Sequence, residues 1–194
     1  MEFIDKNPVL LLVDIQKAFL HKDYPGKKRN NHTAELICGK ILKKWRELGL
    51  KVIHVRHSST NPDSMLHKSK YGFEFNDHVR PISDELILTK NVNSAFIGTG
   101  LTEILKKFKI KTIVIVGMTT NHCISTTVRM SGNLGYETYL ISDSTGETLD
   151  RIFLALKAQF LNIEYKVHSY SFTRTENQIL KILEDAEKNS NAII

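Results

Sequence analysis

Apolar residues fall along this chain in short continuous runs, separated by longer stretches with helical spacing. The clearest run is Pro8–Asp14, five consecutive aliphatic residues closed by a carboxylate. That pattern suits a strand buried on both faces of a parallel sheet. Similar runs at Val52–Val55, Leu86–Leu88, Ile113–Val116, Thr138–Ile141 and Glu164–Val167 predict five further strands. Between them, Ala34, Ile37, Cys38, Ile41, Trp45 and Leu48 recur at spacings of three and four, with Gly49 placed to end that helix. Leu101, Ile104, Leu105 and Phe108 form a second stripe, and a third helix is expected from Asn121 to about Leu134, ending near Gly135. Helical patterning returns at Leu149–Leu161 and at Thr175–Glu187. The alternation predicts right-handed crossovers and an α/β fold of three layers, an α/β/α sandwich. The stretch Ser58–Ser83 is polar, carries Asn61-Pro62 and Tyr71-Gly72, and has no clear helix. A connection this long is expected to serve function, here as a lid over a pocket. With no repeat, low-complexity tract or linker, one domain spanning residues 1–194 is expected.

Composition narrows the classes. A chain of 194 residues, 41% hydrophobic and 25% charged, can bury a core without staples. The net charge of +6 invites a nucleic-acid reading, but the lysines are scattered in pairs such as Lys27-Lys28, Lys43-Lys44 and Lys106-Lys107, with no basic stripe or interleaved aromatics. No nucleic-acid partner is expected. No apolar run of about 18 residues marks a membrane span, and Met1–Asp5 has no secretory pattern. Two cysteines, Cys38 and Cys123, make no disulfide framework, so a cytoplasmic setting is expected.

In an open parallel sheet, ligands bind beyond the carboxyl ends of the strands. Three reactive residues fall there: Asp14 closes the first strand, Lys90 follows the third, and Cys123 lies shortly beyond Ile113–Val116. Asn121 is placed to cap the following helix, which would set the Cys123 sulfur near a helix N-terminus and favour a thiolate. Each residue also has a plainer reading. Asp14 suits a loop cap or a pair with Lys17, Lys90 suits the surface, and a cysteine can be inert core, as Cys38 on its apolar helix face is expected to be. Other constellations are weaker. His54, His57 and His67 do not share a strand face and make no zinc set. Gly98-Thr99-Gly100 lacks dinucleotide-loop spacing, no P-loop is present, and Ser142-Asp143-Ser144 reads as turn and cap chemistry.

At these residues the chain resembles the isochorismatase-like cysteine hydrolases, which include nicotinamidases and N-carbamoylsarcosine amidase. The resemblance runs from about Asn7 to about Ser169. It is carried by Leu11-Leu12-Val13-Asp14-Ile15-Gln16-Lys17-Ala18-Phe19, by Arg80-Pro81, Glu85, Lys90 and Asn93-Ser94-Ala95-Phe96, and most strongly by Gly117-Met118-Thr119-Thr120-Asn121-His122-Cys123 through Thr127 and Arg129. It implies a six-stranded parallel sheet in the order 3-2-1-4-5-6. It also implies that Cys123 attacks a carbonyl-type carbon, that Asp14 carries the proton to the leaving amine, and that Lys90 holds the pair electrostatically. A non-proline cis peptide is implied between Met118 and Thr119, aiming the N–H groups of Thr119 and Cys123 at a developing oxyanion. Phe19, Asn93, Phe96 and His122 lie beside the motifs and are candidate contacts for a small-molecule substrate. A homo-oligomer is expected, with the Thr175–Glu187 helix and the Ile193-Ile194 tail as a contact surface.

The departures bear on substrate. Nicotinamidases carry an Asp-x-His metal element where this chain has Val55-Arg56-His57-Ser58-Ser59, so no metal and no cofactor are expected. True isochorismatases cleave a vinyl ether without needing the cysteine. Asn121 stands where many relatives have Asp. The resulting expectation is a metal-independent cysteine hydrolase acting on a small amide, ureido or related C–N bond through a thioester-type intermediate. The alternative is a non-hydrolytic ligand-binding or thiol-redox protein on the same fold.

Overall fold

In the computed structural model, which describes residues 3–21, 24, 31–142, 166–167 and 192–193, five strands form one parallel sheet. They are β1 (Val9–Val13), β2 (Val52–His57), β3 (Leu86–Lys90), β4 (Thr112–Gly117) and β5 (Glu137–Leu140), in the order β3-β2-β1-β4-β5. These are the first five places of the expected order. Of the expected sixth strand only Lys166–Val167 (β6) is described, in parallel with Ala192–Ile193 (β7). The helices expected at Leu149–Leu161 and Thr175–Glu187 lie outside the described residues.

The central strand shows why the pattern folds this way. Every residue of β1 is buried, and alternate side chains enter two separate cores. Leu10 and Leu12 pack with Cys38, Ile41, Leu42 and Trp45 of helix α1 (Ala34–Glu47). Val9, Leu11 and Val13 pack with Leu101 and Leu105 of α2 (Leu101–Lys107) and with Val128 of α3 (Ser125–Asn133). One layer of helix therefore covers each face of the sheet. Cys38 is buried on the α1 face, as expected.

All three helices among the described residues close with the same pair of backbone bonds. In α1 the N–H groups of Gly49 and Leu50 reach back to Arg46 and Trp45, and α2 and α3 repeat this at Lys109-Ile110 and Gly135-Tyr136. Lys109 adopts the left-handed conformation (φ 54°) that glycine takes at the other two ends. Among the described residues no helix is long and apolar enough to cross a membrane.

The long connection after β2 is docked rather than free-standing. Phe75 pairs with Gln16, the backbone N–H of Lys17 donates to Glu74, and that of Asn76 donates to Ile15. Leu66, Phe75 and Val79 are buried, and two short 3-10 turns lie at Tyr71–Phe73 and Asp77–Val79. The sequence pattern missed these turns because each is only three residues long.

Candidate active site

The strand registers bring the reactive ends together. Val13 lies opposite both Val55 of β2 and Gly117 of β4, and His57 lies opposite Lys90 on β3. Asp14 follows β1 at φ 56°, a left-handed conformation that Asp tolerates better than most residues. Gly117 has φ 147°, and a Cβ there would stand 2.0 Å from the Val13 carbonyl oxygen. Only glycine fits this approach of β4 to β1. The Met118–Thr119 peptide that follows is cis, at the place the resemblance implies.

Cys123 does not sit on a regular helix turn. Residues Thr120–Ile124 form one wide π turn ahead of α3, and Thr119 rather than Asn121 is the capping position. The Thr119 carbonyl accepts from the N–H groups of His122 and Ile124, at 3.1 and 3.3 Å.

Lys90 is the last residue of β3, the buried end of an otherwise exposed edge strand. Its ammonium donates to Asp14 Oδ2 at 2.6 Å and to Cys123 Sγ at 3.3 Å, and lies 3.4 Å from His57 Nδ1. Asp14 Oδ1 is buried and, among the described residues, accepts no fully formed hydrogen bond, while the Cys123 thiol lies close enough to the carboxyl to interact with it. The expected trio of Asp14, Lys90 and Cys123 is thus one cluster. The suggested Asp14–Lys17 pair does not form, because Lys17 is held by Glu74 at 2.7 Å and lies near Asp77.

Burial dominates the electrostatics. It pushes the Asp14 carboxyl above the usual carboxylate range, outweighing the opposing pull of Lys90. Burial and the neighbouring Asp14 charge push the Cys123 thiol up to about 12, again against Lys90. The expectation of a favoured thiolate is therefore corrected. The ammonium is present, but removal from water and a carboxylate outweigh it, so the resting sulfur carries its proton. His57 is held below the ordinary imidazole range by burial first and by Lys90 second, and is neutral at neutral pH.

Of the pocket candidates, Asn93 touches the sulfur, the Cys123 thiol donating to its Oδ1 at 3.8 Å. Its loop is anchored where the Ala95 N–H donates to the buried Thr127 hydroxyl. Phe96 is half-buried and stacks on Tyr136, while Phe19 packs against Tyr24. His122 is exposed. Sequence reasoning did not single out Tyr24, whose half-buried phenol is pushed up by burial first and then by the nearby Cys123 and Asp14. No periodic pattern marks it. The sequence places His57 in a histidine set that makes no zinc site and in the stretch where the metal element is missing, and neither reading marks it as a neighbour of Lys90. His54 is buried against Glu85, and half-buried His67 bonds Ser69.

Asp14, His57 and Cys123 offer ligand-type atoms within 4.8 Å of one another. The Lys90 ammonium lies within hydrogen-bond reach of all three, and its charge takes the role that a metal ion would fill. These residues do not fit a metal centre while Lys90 holds that place.

The isochorismatase domain family matches residues 8–151, about three quarters of the chain. The chain belongs to the isochorismatase family. It is 51% identical over 142 residues to an uncharacterized isochorismatase family protein, YrdC, of Bacillus subtilis, covering 73% of this chain and 75% of that one. An isochorismatase-family crystal structure from Chromobacterium violaceum superimposes with a TM-score of 0.71 at 31% identity, covering 95% of this chain and 97% of that one. N-carbamoylsarcosine amidase from Thermoplasma acidophilum shares the fold, with a TM-score of 0.66 at 22% identity and coverage of 80% and 93%. The family match ends short of Ser169. Residues 138–194 match a second family, kinase/pyrophosphorylase, which overlaps the first at 138–151. There the chain is 73% identical over 59 residues to a Pelagibacter ubique protein whose name assigns it to regulation of pyruvate, phosphate dikinase. That match covers 30% of this chain and 22% of the other protein. Asp14, His57, Lys90 and Cys123 all precede the overlap.

Proposed function

We propose that this isochorismatase-family hydrolase cleaves a C–N bond of a small amide or ureido compound, with Cys123 as nucleophile and Asp14 as proton carrier. The observation that carries the reading is the free, buried Oδ1 of Asp14. Its partner oxygen is fixed by Lys90, and the same ammonium touches the Cys123 sulfur. A buried carboxylate oxygen without a donor is costly unless something uses it.

The thiol proton passes to Asp14 as Sγ bonds the substrate carbon, and the N–H groups of Thr119 and Cys123 receive the oxyanion. Asp14 then returns the proton to the leaving nitrogen as the C–N bond breaks, leaving a thioester. Water attacks the thioester, Asp14 takes its proton, and the sulfur leaves as a thiolate that recovers the proton from Asp14. Because the thiol rests protonated and the carboxyl titrates high, the two groups exchange one proton under the Lys90 charge. A raised carboxyl makes Asp14 a competent acid for the leaving group. Burial of Cys38 in the core on the opposite face of the sheet counts against a disulfide-redox role. Two cysteines that form no disulfide suit a reducing, cytosolic setting.

The test is ammonia release across a panel of small amides and ureido compounds, with wild type beside Cys123→Ala. Turnover that disappears in the variant is expected. Turnover that survives would remove the nucleophile assignment.

A further inference from the structure

Lys90 ends in an ammonium with three N–H donors. Two are taken by the residues the hydrolase reading already uses: Asp14 Oδ2 at 2.6 Å and Cys123 Sγ at 3.3 Å. Among the described residues the third has one acceptor in reach, His57 Nδ1 at 3.4 Å. Among the described residues, Asp14 at the end of β1, Cys123 in the turn before α3 and Lys90 itself are the titratable groups that face this ring.

His57 is itself held firmly. Its backbone N–H donates to Gln16 Oε1 at 2.8 Å, and its carbonyl accepts from Gln16 Nε2 at 3.0 Å. The same amide nitrogen ties Phe73, so one glutamine joins the end of β2 to the docked loop. The ring also bonds the backbone of Val92, in the sense that favours a ring N–H. With Nδ1 facing the ammonium, that N–H belongs to Nε2, and Nδ1 carries the lone pair.

We propose that His57 is a positioning residue of this centre, acting through Lys90 by accepting its third N–H. With all three donors engaged, the ammonium cannot rotate, and it makes no claim on Asp14 Oδ1. That oxygen stays open for the thiol proton. Without an acceptor at Nδ1, the long lysine side chain is free to settle on both carboxylate oxygens as an ordinary ion pair. The proposal rests on the hydrolase reading of the site, but its main readout does not need turnover.

The decisive comparison is His57→Leu with His57→Asn. Leucine keeps bulk and removes the acceptor, whereas the asparagine Oδ1 stands at the same number of bonds from Cβ as Nδ1. Alkylation of Cys123 by iodoacetamide is followed against pH, without substrate, in variants shown by melting to be folded. The Leu variant should need higher pH for the same rate, because the ammonium no longer steadies the thiolate. Its turnover should fall roughly tenfold or more, the worth of one hydrogen bond to a charged group. The Asn variant should restore both. A Leu profile identical to wild type, or an Asn variant as impaired as Leu, would overturn the proposal. Should the Leu variant fail to fold, long-range ¹⁵N–¹H spectra of the wild type decide instead. A neutral Nε2–H ring is expected, and an Nδ1–H ring would overturn the assignment. Loss of turnover in neither Cys123→Ala nor the His57 variants would sink the hydrolase reading, while the alkylation profiles would still judge His57.

Discussion

Glu85 and Asp14 are both buried carboxylates near the sheet, with side chains 5% and 2% exposed, yet they are treated in opposite ways. Glu85 receives a two-pronged bond from Arg46, the N–H of Ile82 and the ring of His54. Burial pushes its carboxyl up, but these donors outweigh burial and hold it below the usual range. Asp14 has one ammonium on one oxygen and, among the described residues, no full hydrogen bond on the other, with the Cys123 thiol close to the carboxyl, and burial wins. Two histidines three apart on β2 divide in the same way, His54 going to Glu85 and His57 to Lys90. A fully donated carboxylate is structural, whereas one left half-donated is free to take a proton.

Removing each carboxylate's function should break the comparison on different axes. Asp14→Asn should lower turnover by about 10²–10⁴-fold, the range for loss of a positioned acid–base group. In the same variant, iodoacetamide should modify Cys123 faster at a given pH, because the charge that raises the thiol is gone. Opposite movement of the two rates is the signature of a proton carrier. Arg46→Ala should leave turnover per folded molecule unchanged and destabilise the protein by about 3 kcal/mol, since it strips a buried carboxylate of its main donor. In a thermal melt that is a fall of roughly 6–12 °C.

The smallest effect is a pH slope. The folded-state pKa of His54 is depressed by burial, so the unfolded chain binds the extra proton. Stability should decline as pH falls below the ordinary imidazole value of about 6.5. His54→Gln keeps a donor for Glu85 and should flatten that part of the curve, as read by melting between about pH 6.5 and 5.

Much of this was legible in the sequence, and the reasons are local. A continuous aliphatic run such as Val9–Val13, bounded by polar residues, suits a strand buried on both sides, and the strand order that brings the ends together is what the family resemblance implies. Asp14, Lys90 and Cys123 were readable because each follows a run. His57 and Tyr24 were not. The register that sets His57 opposite Lys90 depends on where β2 stops, which apolar patterning does not mark. The Cys123 turn was misjudged for a related reason: a π turn before a helix carries no periodicity of its own. Nor could charge counting give the direction of the thiol shift, since it shows the ammonium and the carboxylate but not the loss of water.

The most direct test of the central claim is intact-mass analysis of enzyme quenched during turnover of the best substrate from the amide panel. A mass increase equal to the acyl part of that substrate, mapped by peptide analysis to Cys123 and absent from Cys123→Ala, is the predicted result. Turnover with no adduct in wild type, or an adduct mapped to another residue, would contradict it.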